Sequence, residues 1–323
     1  MAQRVGAEVL HGLNWENPDC TDPERLVNLG VTQRGTPVWI NKCVAEAGLV
    51  VSIGCIEPHI IASFGGGYKN LVPGVAGLAT IAHNHALNCR PATFNMVGCP
   101  IADNPMRMDL EDAAAKVKAP VFIVNAVLDS KQQVVRVVSG SPIAAHRQGC
   151  LTSQQLYGVH VPEPADVVIT VSHPMDQDLR QGVKALANTV RAVRRGGVMI
   201  TLVKAEEGTG VFGLANRKFP LSRKALKLLA PVLLPMVPRL KINGLGEEDR
   251  FFLYFAIQAM CHARLLMYAP TIPVEIQERM PFVEFTATVE QALALAQQRF
   301  PRHAEVLVFP HGGVTYPVMS EAD

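Results

Sequence analysis

The chain has 323 residues and a mass of 35.0 kDa. This length favours two domains over one, because ordinary domains hold about 100–200 residues. Hydrophobic residues make up 49% and charged residues 18% of the sequence, so a large core can form and general disorder is excluded. The net charge of +2 gives no reason to expect a nucleic-acid or membrane partner.

Cysteine usage and hydropathy indicate a soluble protein of a reducing compartment. The seven cysteines form no CxxC pair, and the N-terminal residues lack the apolar run of a signal peptide. The longest apolar run, Leu228–Val237, is interrupted by Pro231 and Pro235. It is about half as long as the roughly 20 residues of a membrane span. We therefore expect a cytoplasmic protein with buried thiols.

The first half of the chain predicts strands and helices joined by Gly-rich turns. Ala47–Gly54 and Val121–Leu128 have the composition of buried strands, and the second continues through a turn into a hairpin. Gly74–Leu87 has a helical pattern. A second helix is predicted over Met108–Val117, with Asp109 as its candidate cap.

The second half predicts a β-α-β unit typical of parallel sheets. Strand Val167–Val171 leads into an amphipathic helix over Leu179–Val193, which Gly196 and Gly197 are expected to end before strand Val198–Val203. Three further predicted elements are the helices Glu247–Met267 and Thr288–Gln298 and the strand Val306–Phe309.

These elements predict an α/β protein with two lobes, of which the C-terminal one is a Rossmann-like β-α-β sheet. A Pro-rich turn ends the segment 148–164, so we place the N-terminal lobe at residues 1–155 and the C-terminal lobe at residues 156–323. Two such lobes usually bind a ligand between them, and we expect the active site in that cleft.

The densest group of polar residues surrounds a Gly-rich loop. His59 follows a predicted strand, Gly65–Gly67 can bring the backbone close to a ligand, Lys69 follows, and the next helix carries His83 and His85. Each residue alone also fits a structural role: a core histidine, an exposed lysine, a plain turn. His83 and His85 lie two residues apart on a helix, so at most one can ligate a given metal.

A second polar group begins the predicted helix of the C-terminal lobe. Arg180, Gln181 and Lys184 lie on its first turns, where backbone N–H groups and cations together suit a carboxylate, although a solvated helix face fits equally well. Gly208–Gly213 matches GxGxxG. We interpret it as a Gly-rich turn, because four polar residues separate it from the strand and no acidic strand end follows.

The sequence resembles the nickel-pincer-nucleotide lactate racemases and the related 2-hydroxy-acid racemases and epimerases. The resemblance is strongest in IEPH, FGGGYKNLVPG and TIAHNH, with matching spacing from His59 through Lys69 to His85. Weaker motifs such as VFIVNAVLD, DQDLRQGVK and VLVFPHGGV extend it over essentially the whole chain.

The resemblance implies an isomerase and assigns roles to individual residues. Lys69 would tether the cofactor, pyridinium-3-thioamide-5-thiocarboxylic acid mononucleotide, and His85 would ligate its nickel. His59 would be one of two acid/base histidines, and Gln181 and Lys184 would hold the substrate. The remaining cofactor-binding residues implied by the resemblance are Phe64, Gly65, Gly66, Gly67 and Pro73. The implied partners are a small 2-hydroxy acid and the enzymes that make the cofactor.

The sequence departs from the family pattern in two places. The family carries a Thr-Arg motif and a second catalytic histidine in a segment that precedes the region matching Met1, and the neighbours of His11 do not match that histidine. We expect either a truncated chain or a relative without two-histidine chemistry. Arg180 stands where the family has a tyrosine, and a cation there would favour a larger or more acidic substrate than lactate. The pocket aromatic could be Phe251, Phe252 or Tyr254.

Two alternatives to a racemase remain. A catalytically impaired paralogue would bind the cofactor or a hydroxy acid without turnover. A zinc-dependent hydrolase would use His59, His83 and His85 as ligands, although the helical positions of His83 and His85 argue against that arrangement.

Overall fold

The structure is a computed structural model that describes residues 6–91, 94–210, 212–239 and 247–319. Its strands are, in chain order, β1 (Leu26–Val31), β2 (Pro37–Asn41), β3 (Val50–Cys55), β4 (Pro58–His59), β5 (Ser63–Phe64), β6 (Val121–Leu128), β7 (Val134–Gly140), β8 (Gly158–Val161), β9 (Ala165–Val171), β10 (Val193–Leu202), β11 (Arg264–Tyr268), β12 (Glu284–Phe285), β13 (Val306–Phe309) and β14 (Tyr316–Met319).

The α-helices alternate with these strands along most of the chain. They are α1 (Ala7–His11), α2 (Lys42–Ala45), α3 (Leu78–Ala86), α4 (Pro105–Ala114), α5 (Ala144–Tyr157), α6 (Leu179–Thr189), α7 (Arg223–Met236), α8 (Glu247–His262), α9 (Val274–Gln277) and α10 (Val289–Arg299). None of the helices in the described ranges is long and apolar enough to cross a membrane.

The C-terminal part is built on a parallel sheet that is buried on both faces. Its strand order is β12-β11-β10-β9-β13, and each neighbouring pair is parallel. Alternate residues point to opposite faces: Val198 and Ile200 pack with α10, whereas Met199 joins the large cluster that contains residues of α6 and α8. Burial on both faces explains the nearly continuous apolar sequence of these strands.

The N-terminal part contains a smaller mixed sheet of order β3-β6-β7, in which β3 and β6 are parallel and β6 and β7 form a hairpin. The large hydrophobic cluster runs continuously from residues of this part, such as Ile40 and Leu110, to residues of the C-terminal part, such as Met199. The α/β prediction with a Rossmann-like C-terminal sheet is therefore confirmed. The boundary at 155/156 lies within α5 and stays a prediction.

Two bounds predicted for the N-terminal half are wrong. Helix α3 begins at Leu78 rather than at Gly74, because Ala76 pairs with Ile40 in a β-bridge and the Gly77 N–H donates to the Trp39 carbonyl oxygen. These tertiary hydrogen bonds hold Ala76 and Gly77 outside the helix.

The cap predicted for the following helix is also wrong. Helix α4 begins at Pro105, and Asn104 caps it by accepting a hydrogen bond from the Arg107 N–H. Asp109 is instead fully buried, and its carboxylate accepts hydrogen bonds from Thr32, Thr36 and Asn84.

Two further bounds are wrong in the C-terminal half. Helix α6 ends at Thr189, and Gly196 and Gly197 lie inside β10, where the register with β9 shifts between Val193 and Val198. The predicted helix Glu247–Met267 ends at His262. The residues after it form β11, because the apolar run 265–267 pairs with β10 at the centre of the parallel sheet.

Candidate active site

A cavity of about 350 Å³ lies between the two parts of the chain. The N-terminal part contributes polar residues near the Gly-rich loop, and the C-terminal part contributes the first turns of α6 together with an apolar wall. The residues that the two parts contribute include His59, Lys69, Pro73, His85, Arg180, Gln181, Lys184, Phe212, Phe252, Phe255, Leu265, Met280 and Phe282. The structure thus brings together both polar groups that the sequence singled out.

The Gly-rich loop connects β5 to the turn that carries Lys69, and two of its glycines are required by its conformation. Gly66 and Gly67 have φ values of +72° and +60°. A Cβ atom on Gly66 would lie 2.9 Å from the Cys55 carbonyl oxygen, and one on Gly67 would lie 2.8 Å from the Arg107 guanidinium. Phe64 and Gly65–Gly67 are buried behind the cavity and do not line it.

Lys69 lies on the 3-10 turn Gly67–Asn70 and reaches the cavity. Its ammonium group forms no hydrogen bond or salt bridge with the residues that the structure describes. Burial, followed by the nearby Arg107 charge, lowers the pKa of Lys69 from its usual 10.5 to about 8. An appreciable fraction of this amine is therefore uncharged and nucleophilic near neutral pH.

His85 and His83 point to different sides of α3, as their spacing predicts. His85 lines the cavity, and its buried Nδ1 has no hydrogen-bond partner among the described residues. Burial, with the charges of Lys69 and Arg180, lowers the pKa of His85 from 6.5 to about 4. A neutral ring with an unpartnered nitrogen fits a metal ligand. The Nδ1 of His83 instead lies 2.8 Å from the Thr36 hydroxyl.

His59 ends β4 with its ring held by the backbone. Its Nδ1 accepts hydrogen bonds of 3.2 Å from the N–H groups of Ile61 and Ala62. Burial and the charges of Lys69 and Lys184 lower the pKa of His59 well below 6.5, so the ring is neutral. The ring proton is consequently on Nε2, which can donate a hydrogen bond to a ligand oxygen.

The cavity-facing residues of α6 are positioned by the start of that helix. Asp178 caps α6 by accepting a 2.7 Å hydrogen bond from the Gln181 N–H. Arg180, Gln181 and Lys184 all line the cavity, so they are not merely a solvated helix face. The guanidinium of Arg180 also lies 5.9 Å from the centre of the Phe252 ring.

The Gly-rich turn after β10 supports the start of α6. Three hydrogen bonds link the two segments: the Leu179 N–H donates to Gly208, the Ala205 N–H to Asp176, and the Glu207 N–H to Gln177. Gly210 has φ +60°, and a Cβ atom there would lie 2.6 Å from the Asp178 carboxyl carbon. The GxGxxG match is therefore a turn that packs on the helix cap, as the sequence analysis favoured.

The cavity suits an anionic ligand. Lys69, Arg180 and Lys184 line it, and no aspartate or glutamate does so among the residues that the structure describes. Of the three aromatic candidates, Phe252 faces the cavity, whereas Phe251 and Tyr254 are packed in the core. His11 is exposed on α1 and is not among the lining residues.

The structure gives no support to a zinc site. Within the described ranges, no group of three or more His, Cys, Asp or Glu side chains is arranged to hold a metal ion. His83 lines a different cavity, together with Trp39 and Arg250, so it cannot share a metal with His59 and His85.

Sequence reasoning missed the apolar wall and the support of the Gly-rich loop. Phe212, Phe255 and Phe282 line the cavity but resemble ordinary core residues in the sequence. Arg107 and His146 contact the loop from behind. Arg107 could have been singled out only as a charged residue at a buried position of α4. Its burial is visible only in the fold.

These features describe an α/β protein with a cavity, lined by Lys69, Arg180 and Lys184, between the turn that follows the Gly-rich loop and the first turns of a helix. Residues 1–94 match the sequence model described as the lactate racemase N-terminal domain, and residues 161–316 match the lactate racemase C-terminal domain. The lactate racemase of Thermoanaerobacterium thermosaccharolyticum is 32% identical over 316 residues, which are 97% of this chain and 71% of that protein. The chain belongs to the lactate racemase family, and the prediction of an isomerase is confirmed.

Other relatives agree. The lactate racemase of Lactiplantibacillus plantarum is 28% identical over 298 residues, 90% of this chain and 67% of that protein. The solved lactate racemase apoprotein of T. thermosaccharolyticum superposes with a TM-score of 0.82 at 25% identity, covering 99% of this chain and 74% of that one. A Thermotoga maritima protein with a TM-score of 0.64 and 15% identity, covering 94% of this chain and 78% of that one, shares the fold.

Proposed function

We propose that the protein is a racemase or epimerase of a 2-hydroxy acid, either lactate or a larger or more acidic relative. The observation that carries this proposal is the single cavity in which His59, Lys69 and His85 face Arg180, Gln181 and Lys184. The named activity of the relatives at 28% and 32% identity supports it.

The cofactor that we propose is the nickel-pincer pyridinium nucleotide, and the residues present fit it. Lys69 supplies an amine without a described partner, and His85 supplies a neutral ring with an unpartnered nitrogen. When bound, this group would supply a hydride acceptor for the C2 hydrogen of the substrate, and return of the hydride to the other face would avoid a carbanion.

The side chains of the chain itself bind and orient the substrate. Lys184 provides a cation for the C1 carboxylate, and Gln181 provides an amide for the carboxylate or the hydroxyl. The Nε2–H of His59 is available to the substrate oxygen. To accept a proton there, the ring must first move its own proton to Nδ1, which requires breaking the hydrogen bonds from Ile61 and Ala62.

A labelled substrate tests the proposal. The protein is co-expressed with the cofactor-making enzymes and incubated with L-lactate that carries deuterium at C2. The products are separated by chiral chromatography, and their deuterium content is measured by mass spectrometry. We expect conversion to D-lactate with the deuterium retained, because hydride transfer does not exchange with water. Loss of deuterium would contradict hydride transfer.

The same assay separates the enzyme from the impaired paralogue. Binding of lactate or of a hydroxy dicarboxylate without inversion of either would identify a carrier and contradict the proposed function. Conversion of the dicarboxylate in preference to lactate would identify a more acidic substrate, as the presence of Arg180 in the cavity suggests.

A further inference from the structure

A buried cluster of charged side chains lies behind the Gly-rich loop, outside the cavity. Arg107 is completely buried, and its Nε donates a 2.8 Å hydrogen bond to Glu111. Arg147 forms a bidentate pair with the same carboxylate, at 2.8 and 2.7 Å. Nη2 of Arg107 lies 3.1 Å from both ring nitrogens of His146. This cluster joins α4 to α5.

The cluster binds the backbone of the loop directly. Nη1 of Arg107 donates to the carbonyl oxygens of Phe64 and Gly66, each at 3.2 Å, and Nε2 of His146 lies 2.8 Å from the Gly65 carbonyl oxygen. These three successive carbonyl groups are therefore occupied from behind. The conformation of the loop, and with it the start of the turn that carries Lys69, depends on side chains far away in the sequence.

The cluster carries one excess positive charge. Burial opposes ionisation of Glu111, but the hydrogen bonds from Arg147 and the charge of Arg107 keep its pKa below the usual value, so it is a carboxylate. Burial and the Arg107 charge lower the pKa of His146 to about 3, so it is neutral. Two guanidinium groups thus share one carboxylate, in surroundings that screen charge weakly.

We propose that Arg107 is a positioning residue for Lys69: its guanidinium fixes the Gly-rich loop from behind, the loop leads directly into the turn that carries Lys69, and its buried positive charge acts on the Lys69 amine. The inference rests on the proposed function only for the identity of the group that Lys69 would hold. The reactivity of the amine can be measured without that group and without turnover.

The electrostatics around Lys69 support the proposal. Burial is the largest influence on its pKa of about 8, and Arg107 comes next. Glu57 acts in the opposite direction, Lys184 acts in the same direction from α6, and the neutral rings of His59 and His85 complete the surroundings. At pH 7 about one amine in ten is uncharged at this pKa, against roughly one in three thousand for an ordinary lysine.

Acylation kinetics test the proposal on the full chain expressed without the cofactor-making enzymes. Acetic anhydride transfers an acetyl group to the uncharged Nζ, acetate leaves, and the proton goes to water. Peptide mass spectrometry follows Lys69 against exposed Lys42 as internal reference, as a function of pH. We expect Arg107→Gln to slow acetylation of Lys69 about tenfold at pH 7. Arg107→Lys, which keeps the charge, should restore most of the rate.

Two matched variants distinguish positioning from general support of the fold. Arg147→Gln removes a cation that binds Glu111 and contacts the His146 ring but makes no hydrogen bond to the loop, and should leave the rate within about twofold of wild type. Glu111→Gln removes the negative charge of the cluster and should accelerate acetylation, the opposite of the effect of Arg107→Gln. If Arg107 and Glu111 only supported the fold, Arg107→Gln and Glu111→Gln would change the acetylation rate of Lys69 in the same direction.

The outcomes are decisive in either case. Slower labelling in Arg107→Gln together with faster labelling in Glu111→Gln supports the proposal. Equal slowing in folded Arg107→Gln and Arg147→Gln, or no slowing in either, overturns it. If Arg107→Gln does not fold, Glu111→Gln decides: faster labelling supports the proposal, and unchanged or slower labelling overturns it. Failure to racemise lactate would affect only the proposed function.

Discussion

The two walls of the cavity are built in different ways. On one wall, Lys69 and the Gly-rich loop are held by Arg107, Asn125 and His146, which are buried and distant in sequence. On the other wall, the three polar residues lie within six positions of one helix, and their placement follows from the helical repeat and one cap. The wall that carries Lys69 is therefore positioned by tertiary packing, whereas the polar residues of α6 are positioned by local structure.

The largest effect that sharpens this comparison is expected at Lys69. Lys69→Ala should abolish any covalent cofactor adduct and lower turnover by about a thousandfold or more, because the proposed tether is lost. Intact-protein mass spectrometry measures the adduct. The matched control is Lys184→Ala, which removes a cation from the opposite wall and should keep the adduct. An adduct that survives in Lys69→Ala would place the tether elsewhere.

The two faces of α3 provide the next test. His85→Ala should reduce bound nickel to about a tenth of wild type or less while the organic adduct remains, because the proposed protein ligand is lost and the proposed tether is not. Elemental analysis and intact mass report the two separately. The control, His83→Ala, alters the opposite face of the same helix and should keep the metal. Equal metal loss in both variants would contradict the assignment of His85.

Changes on the α6 wall should affect binding more than chemistry. Lys184→Met is expected to raise KM roughly 10–100-fold, since a hydrogen bond to a charged group contributes about 1.5–3 kcal/mol, while kcat changes less. Arg180→Met should change KM for lactate little and KM for a hydroxy dicarboxylate strongly. Steady-state kinetics with both substrates measures this difference. A larger loss for lactate than for the dicarboxylate would exclude Arg180 as a second carboxylate site.

The last effect, on stability rather than on activity, concerns the buried support of the loop wall. Burial and the Arg107 charge lower the pKa of His146 from 6.5 to about 3 in the folded chain. Between these pH values the unfolded chain therefore binds a proton at this residue that the folded chain does not bind. The stability that this histidine contributes is complete above pH 6.5 and is lost as pH falls towards 3, at up to about 1.4 kcal/mol per pH unit. His59 and His85 act with the same sign.

Urea unfolding at several pH values measures this dependence. Below pH 6.5, His146→Gln should reduce the slope of the unfolding free energy against pH by the amount that corresponds to about one bound proton. Exposed His160→Gln is the control and should leave the slope unchanged. An identical slope in wild type and His146→Gln would show that His146 is not held neutral in the fold.

The α6 wall could be predicted from the sequence because it depends on local rules. Asp178 has the position of a helix cap, and the i, i+4 spacing places Arg180 and Lys184 on one face. The sequence likewise predicts strand β6 and its hairpin to β7, since the apolar pattern and the turn are local features. The sequence does not show that Gly196 and Gly197 lie within β10 rather than at the end of α6. The bulge that contains them is fixed by the register of β10 with β9.

The support of the loop wall could not be predicted, for a related reason. His59, Lys69 and His85 were found through their spacing and the family resemblance. The low pKa values of Lys69 and His85 result first from burial, which is a property of the assembled fold. Asp109 shows the same limit: as a local signal it suggests a helix cap, but the fold uses it as a buried acceptor for three side chains.

The turn that packs on the start of α6 has a consequence for how the substrate range of such an enzyme could evolve. Its hydrogen bonds to Asp176, Gln177 and Leu179 set where the helix begins, and Gly210 leaves room for the Asp178 cap. A substitution in this turn can therefore move all three recognition side chains together without altering any residue that touches the ligand. We therefore expect single mutations outside the cavity to be able to change which substrates the site accepts, while the residues of the opposite wall keep their positions.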